Sequence, residues 1–361
     1  MNHEDRIRRV RALVCAAKRL ADHPGELRER LQRATGLSAQ GVDLALREHL
    51  ETQPTEEELV ALVGGAGSAP RAHVILSANV FTAGLRAIAL AAATAPLVSV
   101  RCSTRENVFV PALLSHLDDT EIRQSIVECQ EISPAAGEEI HLYGSDESIA
   151  EICAGLAPDV LVRAHGTGFG LALVGPGVEI EDAARALVRD MVAFDQHGCL
   201  SPRLALVCGH ERALALAQAM AVSLVQAEQD VPVGALDRAD IVRFRQTATV
   251  AGEWFDASLG GVALLSQPMS AWIAPPGRNM VVVACAQEDN PVAGLERHVA
   301  AIGVSGDAES CFGAVLAACP GARTSELGRM QRPRFDGPVD LRHPGVQSPR
   351  AVIERVRRGS P

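Results

Sequence analysis

Apolar residues recur at helical spacing near the start of the chain, at Ile7, Val10, Leu13 and Val14 and again at Val42, Leu46 and Leu50. Residues 56–63 predict one more short helix, and Gly64-Gly-Ala-Gly-Ser-Ala-Pro70 then interrupts the pattern as a linker does. Beyond it, short apolar runs of strand length alternate with amphipathic or alanine-rich stretches. Strands are predicted at 73–77, 97–101, 140–143 and 160–162, with helices at 83–95, 108–117 and 148–156 between them. A second series follows, with strands at 171–174 and 204–208 and helices at 180–194 and 211–228. Residues 280–286 and 313–316 continue that theme, while 243–259 fit neither period cleanly. Residues 332–343, rich in proline, glycine and charge, read as irregular surface chain. Strand and helix alternating in this way predict parallel strands with crossover helices, that is, a doubly wound α/β arrangement in two domains behind a helical N-terminal segment. The expected boundaries are 1–70 for the helical segment, 71–165 for a dinucleotide-binding domain, 166–335 for a second α/β domain and 336–361 for a tail.

The length of 361 residues agrees with two cores rather than one. With 47% hydrophobic and 22% charged residues, the composition is that of a folded globular protein. One feature of the charge narrows the chemistry: Lys18 is the only lysine, and the other 33 of the 34 basic residues are arginine. A Walker-type phosphate loop and a pyridoxal Schiff base both need a lysine, and Lys18 lies in an arginine-rich helix pattern suited to neither. The net charge of −10 argues against a nucleic-acid surface. No export signal or membrane span is predicted, since the longest apolar stretch, 87–100, is too short and is broken by Thr94, Pro96 and Ser99. Nine cysteines without a Cys-x-x-Cys pair fit reduced thiols in a cytoplasm. Cys208-Gly-His210 has no second half at zinc spacing, so no metal site is expected.

The candidate nucleophile is Cys199, in Phe194-Asp-Gln-His-Gly-Cys199-Leu-Ser-Pro202-Arg203. It follows a long amphipathic helix, Gly198 permits a sharp turn, and Pro202 delays the next strand. A cysteine on such a turn, close to backbone N–H groups, can act as a thiolate. By local chemistry alone, any one of nine cysteines could equally follow a glycine without consequence.

Taken in order, Ser77-Ala-Asn79-Val-Phe, Val98-Ser-Val-Arg101-Cys-Ser103, Tyr143-Gly144-Ser145, His165-Gly-Thr-Gly and Gln196-His-Gly-Cys199 follow the landmarks of the aldehyde dehydrogenase superfamily. The segment around Cys199 most resembles its acyl-CoA reductase branch, typified by the fatty-acid reductase component of luminous bacteria. The resemblance runs from about Gly36 to Gly328-Arg-Met-Gln. It implies an aldehyde-dehydrogenase-like fold, with Asn79 donating its side-chain amide to a thioester oxygen and the Cys199 N–H as second donor. Each such donor is worth roughly 3 kcal/mol in well-studied enzymes with an oxyanion hole. A helix N-cap ahead of Ala83 is the alternative role for Asn79.

The same resemblance implies a nicotinamide cofactor. Arg101 stands where many relatives carry a lysine on the adenosine ribose, and with Ser103 and Arg105 it suits the 2′-phosphate of NADPH better than a bare ribose, NADH being the other option. Gly144 and Ser145 open a helix at which backbone N–H groups could face a pyrophosphate, although Asp146 and Glu147 would repel it, and plain capping of that helix by Ser145 is the alternative. Gly166-Thr-Gly168-Phe-Gly170 precedes a strand, so it is not a dinucleotide fingerprint. Its counterpart in hydrolytic relatives carries a water-activating glutamate; here Ala164-His165-Gly166 offers no carboxylate, which favours thiol exchange over hydrolysis. His165 is either a proton shuttle in that exchange or a hydrogen-bonded strand-end residue. The Glu-x-Phe-Gly-Pro segment that holds the nicotinamide ribose is missing, and Trp272-Ile-Ala-Pro-Pro-Gly stands in its region.

The function expected from this resemblance is NADPH-dependent reduction of a fatty acyl-CoA to an aldehyde through an acyl-cysteine, with coenzyme A as leaving group. Trp254, Phe255 or Trp272 could wall an acyl tunnel. A homo-oligomer and an acyl-activating synthetase partner are expected by the same resemblance. Two rivals stand beside it: an acyl-phosphate reductase using Arg203 as phosphate ligand, and an acyl-binding protein of the same fold without catalysis.

Overall fold

A computed structural model describes residues 1–235, 238–265, 275–285, 291–332 and 334–336. Four helices lead the chain: α1 (His3–Asp22), α2 (Leu27–Thr35), α3 (Ala39–Leu44) and α4 (Glu56–Gly65). Asn2 starts α1 by accepting the Asp5 N–H at 2.8 Å, and the helix buries the predicted face of Ile7, Val10, Leu13 and Val14. Thr55 and Glu58 form a reciprocal capping box on α4. The chain divides into two compact units. Among the described residues, the first holds those within 1–35, 46–167 and 334–336, and the second those within 36–45 and 168–332.

In the first unit the strands are β1 (Arg71–Ile75), β2 (Leu97–Arg101), β3 (Ile126–Glu128), β4 (Glu139–Tyr143) and β5 (Leu161–His165). They form one parallel sheet in the order β3-β2-β1-β4-β5. The crossovers carry α5 (Ala83–Thr94), α6 (Phe109–Ser115), α7 (Thr120–Ser125) and α8 (Asp146–Ala154). Helix α5 is alanine-rich and buried over nearly its whole length, so it can lie close to both β1 and α1. Arg9 of α1 donates to the carbonyls of Ala92, Ala95 and Pro96. It thereby satisfies acceptors that the end of α5 leaves open. The strand order reverses between β1 and β4, and in doubly wound sheets such a reversal is where ligands approach the carboxyl ends of the strands.

The second unit holds a seven-stranded sheet in the order β12-β11-β6-β7-β10-β9-β8. Its strands are β6 (Phe169–Val174), β7 (Pro202–Cys208), β8 (Gly252–Ala257), β9 (Gly260–Leu265), β10 (Asn279–Cys285), β11 (Val299–Ser305) and β12 (Arg323–Glu326). All pairings are parallel except β8 with β9. Alternate residues face opposite layers. Ala172, Val174, Ala205, Val207 and Val282 pack under α9 (Ile180–Val192) and α10 (His210–Asp230). Leu171, Leu173, Leu204, Leu206 and Val283 pack against α11 (Arg238–Ala251) and α12 (Ala308–Ala318). Burial on both faces explains why these strands read as unbroken apolar runs.

Residues 243–259, which fit neither period, are the end of α11 followed by the β8 edge strand. Residues 313–316 belong to α12, and the strand of that region is β11, just ahead of it. The helix predicted at 180–194 stops at Val192, for a reason given below. Trp272 lies outside the described residues, and so does most of 332–343. Among the described residues no helix is long and apolar enough to cross a membrane.

Candidate active site

Cys199 sits in a tight turn between α9 and β7, in which the Ser201 N–H donates to the Gly198 carbonyl at 3.1 Å. Its side chain is exposed, whereas the other cysteines of the second unit are half-buried or buried. The Cys199 N–H donates to no group among the described residues. Underneath, the turn rests on the start of β6: the Gly170 N–H donates to the Ser201 carbonyl at 2.8 Å. A Cβ at position 170 would stand 2.4 Å from the Leu200 carbonyl oxygen, so this close approach requires glycine.

The approach to the turn is strained. Phe194, Asp195 and Gln196 have φ of 54°, 49° and 64°, three successive non-glycine residues in the left-handed region. Each costs about 1–3 kcal/mol, and such a run persists only where its surroundings over-determine it. Here they do. The Asp195 carboxylate, 2% exposed, pairs with the Arg278 guanidinium at 2.7 Å and accepts the Gly234 N–H at 3.0 Å. Arg278 spends its remaining donors on the carbonyls of Val231 and Pro232. Fully buried Gln196 accepts the Asn279 N–H at 3.0 Å and donates to the Pro202 carbonyl. Arg278, just before β10, and Asn279, its first residue, thus hold the chain that delivers Cys199. This left-handed run is also what ends α9 at Val192.

Arg203 donates to the Gln196 carbonyl at 2.7 Å and to the Pro275 carbonyl, and burial pushes its guanidinium down to about 10. The exposed His197 ring contacts the Phe194 carbonyl at 3.0 Å. A second clamp lies below the turn. Gln331 donates to the Ser201 hydroxyl at 2.9 Å, and the Asp190 carboxylate accepts the N–H groups of Gly328 and Met330 at 2.6 and 2.9 Å. Burial pushes Asp190 up to about 7, outweighing those backbone N–H donors, which pull the other way.

In the first unit, the remaining candidates all follow the carboxyl ends of neighbouring strands. Asn79 is exposed in the bend after β1, and its carboxamide oxygen accepts from Arg105 at 3.4 Å. Helix α5 begins at Thr82 with no side-chain cap, so Asn79 does not cap it. Arg101 closes β2, and its guanidinium makes no hydrogen bond or ion pair among the described residues. Ser103 accepts the Arg105 N–H at 3.3 Å. Nearby Glu106 is occupied with the N–H groups of Val108 and Phe109.

Ser145 caps α8 by accepting the Ser148 N–H at 3.2 Å. Asp146 accepts the Thr167 N–H at 2.8 Å, which turns part of its charge toward the chain. A Cβ on Gly144 would meet nothing nearer than 3.9 Å, so no protein neighbour demands glycine there. His165 closes β5 with its ring stacked on Tyr143 at 4.1 Å and only 6% exposed. These are the surroundings of a packed strand-end residue. In the second unit, Trp254 on β8 packs edge-on against Phe244, with the Arg245 guanidinium over its ring.

Sequence reasoning assigned no supporting role to Asp195, Gln196, Arg278 or Asp190, and Gly170 stood out in it only as part of a glycine-rich stretch. For the first two there was a signal: polar residues stand where the helical pattern of Val188, Met191 and Val192 would place further apolar ones. Arg278 carries no local signal at all.

Two doubly wound units, one with an exposed thiol on a strained turn, define a fold of the aldehyde dehydrogenase class. Solved structures of that fold match nearly the whole chain. An oxidoreductase from Marinobacter aquaeolei superposes with a TM-score of 0.68 at 12% identity, covering 93% of this chain and 83% of its own. An NAD-dependent benzaldehyde dehydrogenase from Corynebacterium glutamicum gives 0.63 at 15% identity, covering 88% and 80%. An NADP-dependent glyceraldehyde-3-phosphate dehydrogenase from Bacillus halodurans C-125, solved with NADP, gives 0.63 at 13%, covering 88% and 78%. No curated protein matches the sequence. The family model for acyl-CoA reductase (LuxC) matches residues 66–341, and the chain belongs to that family. It is thus an acyl reductase by family and an oxidoreductase by class.

Two predictions follow from the clamps. Arg278→Leu leaves the Asp195 carboxylate buried without its cation, and urea unfolding should show a loss of about 3–5 kcal/mol. Asp190 has a folded pKa raised to about 7, against about 3.9 in an unfolded chain. Its stabilising contribution is therefore complete below about pH 4 and is lost as pH rises through 7. Urea midpoints measured from pH 4 to 8 should fall across that window in the wild type and fall less steeply in Asp190→Asn.

Proposed function

We propose that the protein reduces a fatty acyl-CoA to the free aldehyde through a covalent thioester on Cys199, with NADPH as the reductant. The observation that carries this reading is the exposed Cys199 thiol on its clamped left-handed turn, in a chain of the acyl-CoA reductase family. Cys199 as thiolate attacks the acyl carbonyl. The Cys199 N–H, which has no partner among the described residues, and the Asn79 amide are the two donors for the oxyanion. Arg105 holds the oxygen end of the Asn79 carboxamide, which leaves the NH2 end to donate. Collapse of the tetrahedral adduct expels the coenzyme A thiolate and leaves an acyl-enzyme. NADPH, when bound, supplies the hydride that reduces this thioester. Proton uptake gives a thiohemiacetal on Cys199, which breaks down to aldehyde and the regenerated thiol.

The cofactor residues fit a phosphorylated dinucleotide in part. Arg101 has no ionic partner among the described residues and stands at the carboxyl end of β2, where an arginine accommodates a 2′-phosphate. Ser103 lies beside it. The open space over Gly144 at the start of α8 suits the close approach of a pyrophosphate. The acidic first turn of that helix, Asp146 and Glu147, works against it. The acyl-phosphate reading loses ground, because Arg203 is half-buried and spends its guanidinium on two backbone carbonyls.

Intact-mass analysis after mixing with an acyl-CoA should show one acyl adduct on the wild type and none on Cys199→Ala. Turnover by Cys199→Ala would remove the mechanism, and a wild type that forms no adduct would favour an acyl-binding role. Following absorbance with acyl-CoA and acyl phosphate in parallel, each with NADPH and NADH, separates substrate from cofactor preference. Asn79→Ala should lower kcat by roughly 10²–10³ with little change in KM for the acyl-CoA.

A further inference from the structure

The carboxyl end of β7 gathers three thiols that the proposed reaction does not use. Cys208 is the last residue of β7, Cys285 is its register partner at the end of β10, and Cys311 of α12 packs on the same face of the sheet. The sulfur atoms of Cys208 and Cys311 lie 2.6 Å apart although the residues are 103 positions distant in the chain. That is closer than two unbonded sulfur atoms pack and longer than a bonded pair at about 2.05 Å. The two sulfur atoms are therefore already adjacent. The Cys285 sulfur instead faces the Val283 carbonyl at 3.8 Å.

Access differs between the two. Cys208 is half-buried and Cys311 buried, so an exchanging reagent meets Cys208 first and Cys311 is placed to resolve. The pair also stands well apart from Cys199. Cys199 precedes β7 and Cys208 closes it, and seven residues of strand span roughly 20 Å. A metal site is a poorer reading, since no group of three or more His, Cys, Asp or Glu side chains is placed for one among the described residues.

We propose that Cys208 and Cys311 form a reversible disulfide site, linking the end of β7 to α12 on exchange with a low-molecular-weight disulfide. Cys208 gives up its proton and, as thiolate, attacks one sulfur of glutathione disulfide, forming a mixed disulfide and releasing one glutathione thiolate. Cys311 gives up its proton and attacks the Cys208 sulfur, forming the intramolecular bond and releasing the second glutathione. Two protein thiols lose two electrons and two protons, and one glutathione disulfide becomes two glutathione thiols.

The test uses the full chain, reduced, desalted and incubated with a rising proportion of oxidised glutathione. Free thiols are then blocked with a maleimide and the protein is digested without reductant. The exposed Cys15 serves as internal control that enough oxidant was present. The expected result is one linked peptide pair containing Cys208 and Cys311, with loss of two maleimide additions and full reversal by dithiothreitol. It should appear equally in Cys199→Ala and vanish in both Cys208→Ser and Cys311→Ser, each of which leaves the other thiol open to maleimide or glutathione. Recovery of both cysteines as maleimide adducts once Cys15 has reacted would overturn the proposal. So would Cys208 found joined only to glutathione, to Cys285 or to a second chain.

Discussion

The buried ion pair between Asp195 and Arg278 is the constraint on which the geometry around Cys199 depends. Three residues in the left-handed region together cost several kcal/mol, and nothing in the intrinsic preferences of Phe, Asp or Gln supplies that. The pair, with both side chains about 3–4% exposed, ties this run to the first residue before β10. A buried ion pair contributes little net stability against a well-packed apolar substitute. Its role here is positional: the carboxylate accepts both the guanidinium and the Gly234 N–H, and so ties the run at two points. Gln196, fastened on both sides to Asn279 and Pro202, removes the remaining freedom.

The two units place their candidate residues differently with respect to their sheets. In the first, Asn79, Arg101, Ser103, Arg105, Gly144 and Ser145 all follow the carboxyl ends of parallel strands, on either side of the reversal between β1 and β4. This edge carries the helix starts, and with them the backbone N–H groups that favour anions. In the second, Cys199 precedes its strand and depends on side chains and on Gly170 for its position. A loop at a strand's beginning has no helix start to steady it, so the turn is fixed by buried polar contacts. The cost is that five side chains, Asp195, Gln196, Arg278, Arg203 and Gln331, are committed to holding one exposed residue.

The doubly wound fold was legible because strands covered on both faces read as apolar runs, as at Leu171–Val174 and Leu204–Cys208. Elements at the sheet edges were harder. The short, partly exposed strand Arg323–Glu326 carries no apolar run, and Gly252–Ala257 follows directly on a helix whose pattern blurs into it. The turn that carries Cys199 was legible from Gly198, whereas Pro202, expected to delay the next strand, is the first residue of β7. The support beneath it was not, because Arg278 acts on Asp195 from 83 positions away, and a pairing at that separation leaves no periodicity to detect. Gly170 shows the same limit. Its glycine spacing suggested a nucleotide loop to be set aside, and its reason lies in the Leu200 carbonyl that a side chain would strike.

Burial also sorts the thiols by the chemistry open to them. Cys102, at the end of the edge where a cofactor is proposed to lie, is pushed up to about 12 by burial and by the neighbouring Glu128 and Glu106, and Cys319 to about 11 by burial and Glu296. Such thiols stay protonated and do not compete as nucleophiles at neutral pH. Cys199 is exposed instead, because the left-handed run carries the chain out of the buried end of α9. The same segment therefore decides both where the sulfur is and whether it can meet a substrate. Exposure would equally admit water to an acyl-enzyme, but hydrolysis needs a base to activate that water. By the resemblance read in the sequence, Ala164-His165-Gly166 stands where hydrolytic relatives carry a glutamate, and the histidine ring is stacked on Tyr143. On the proposed reading, the acyl-cysteine survives to be reduced because the residue that would hydrolyse it is missing.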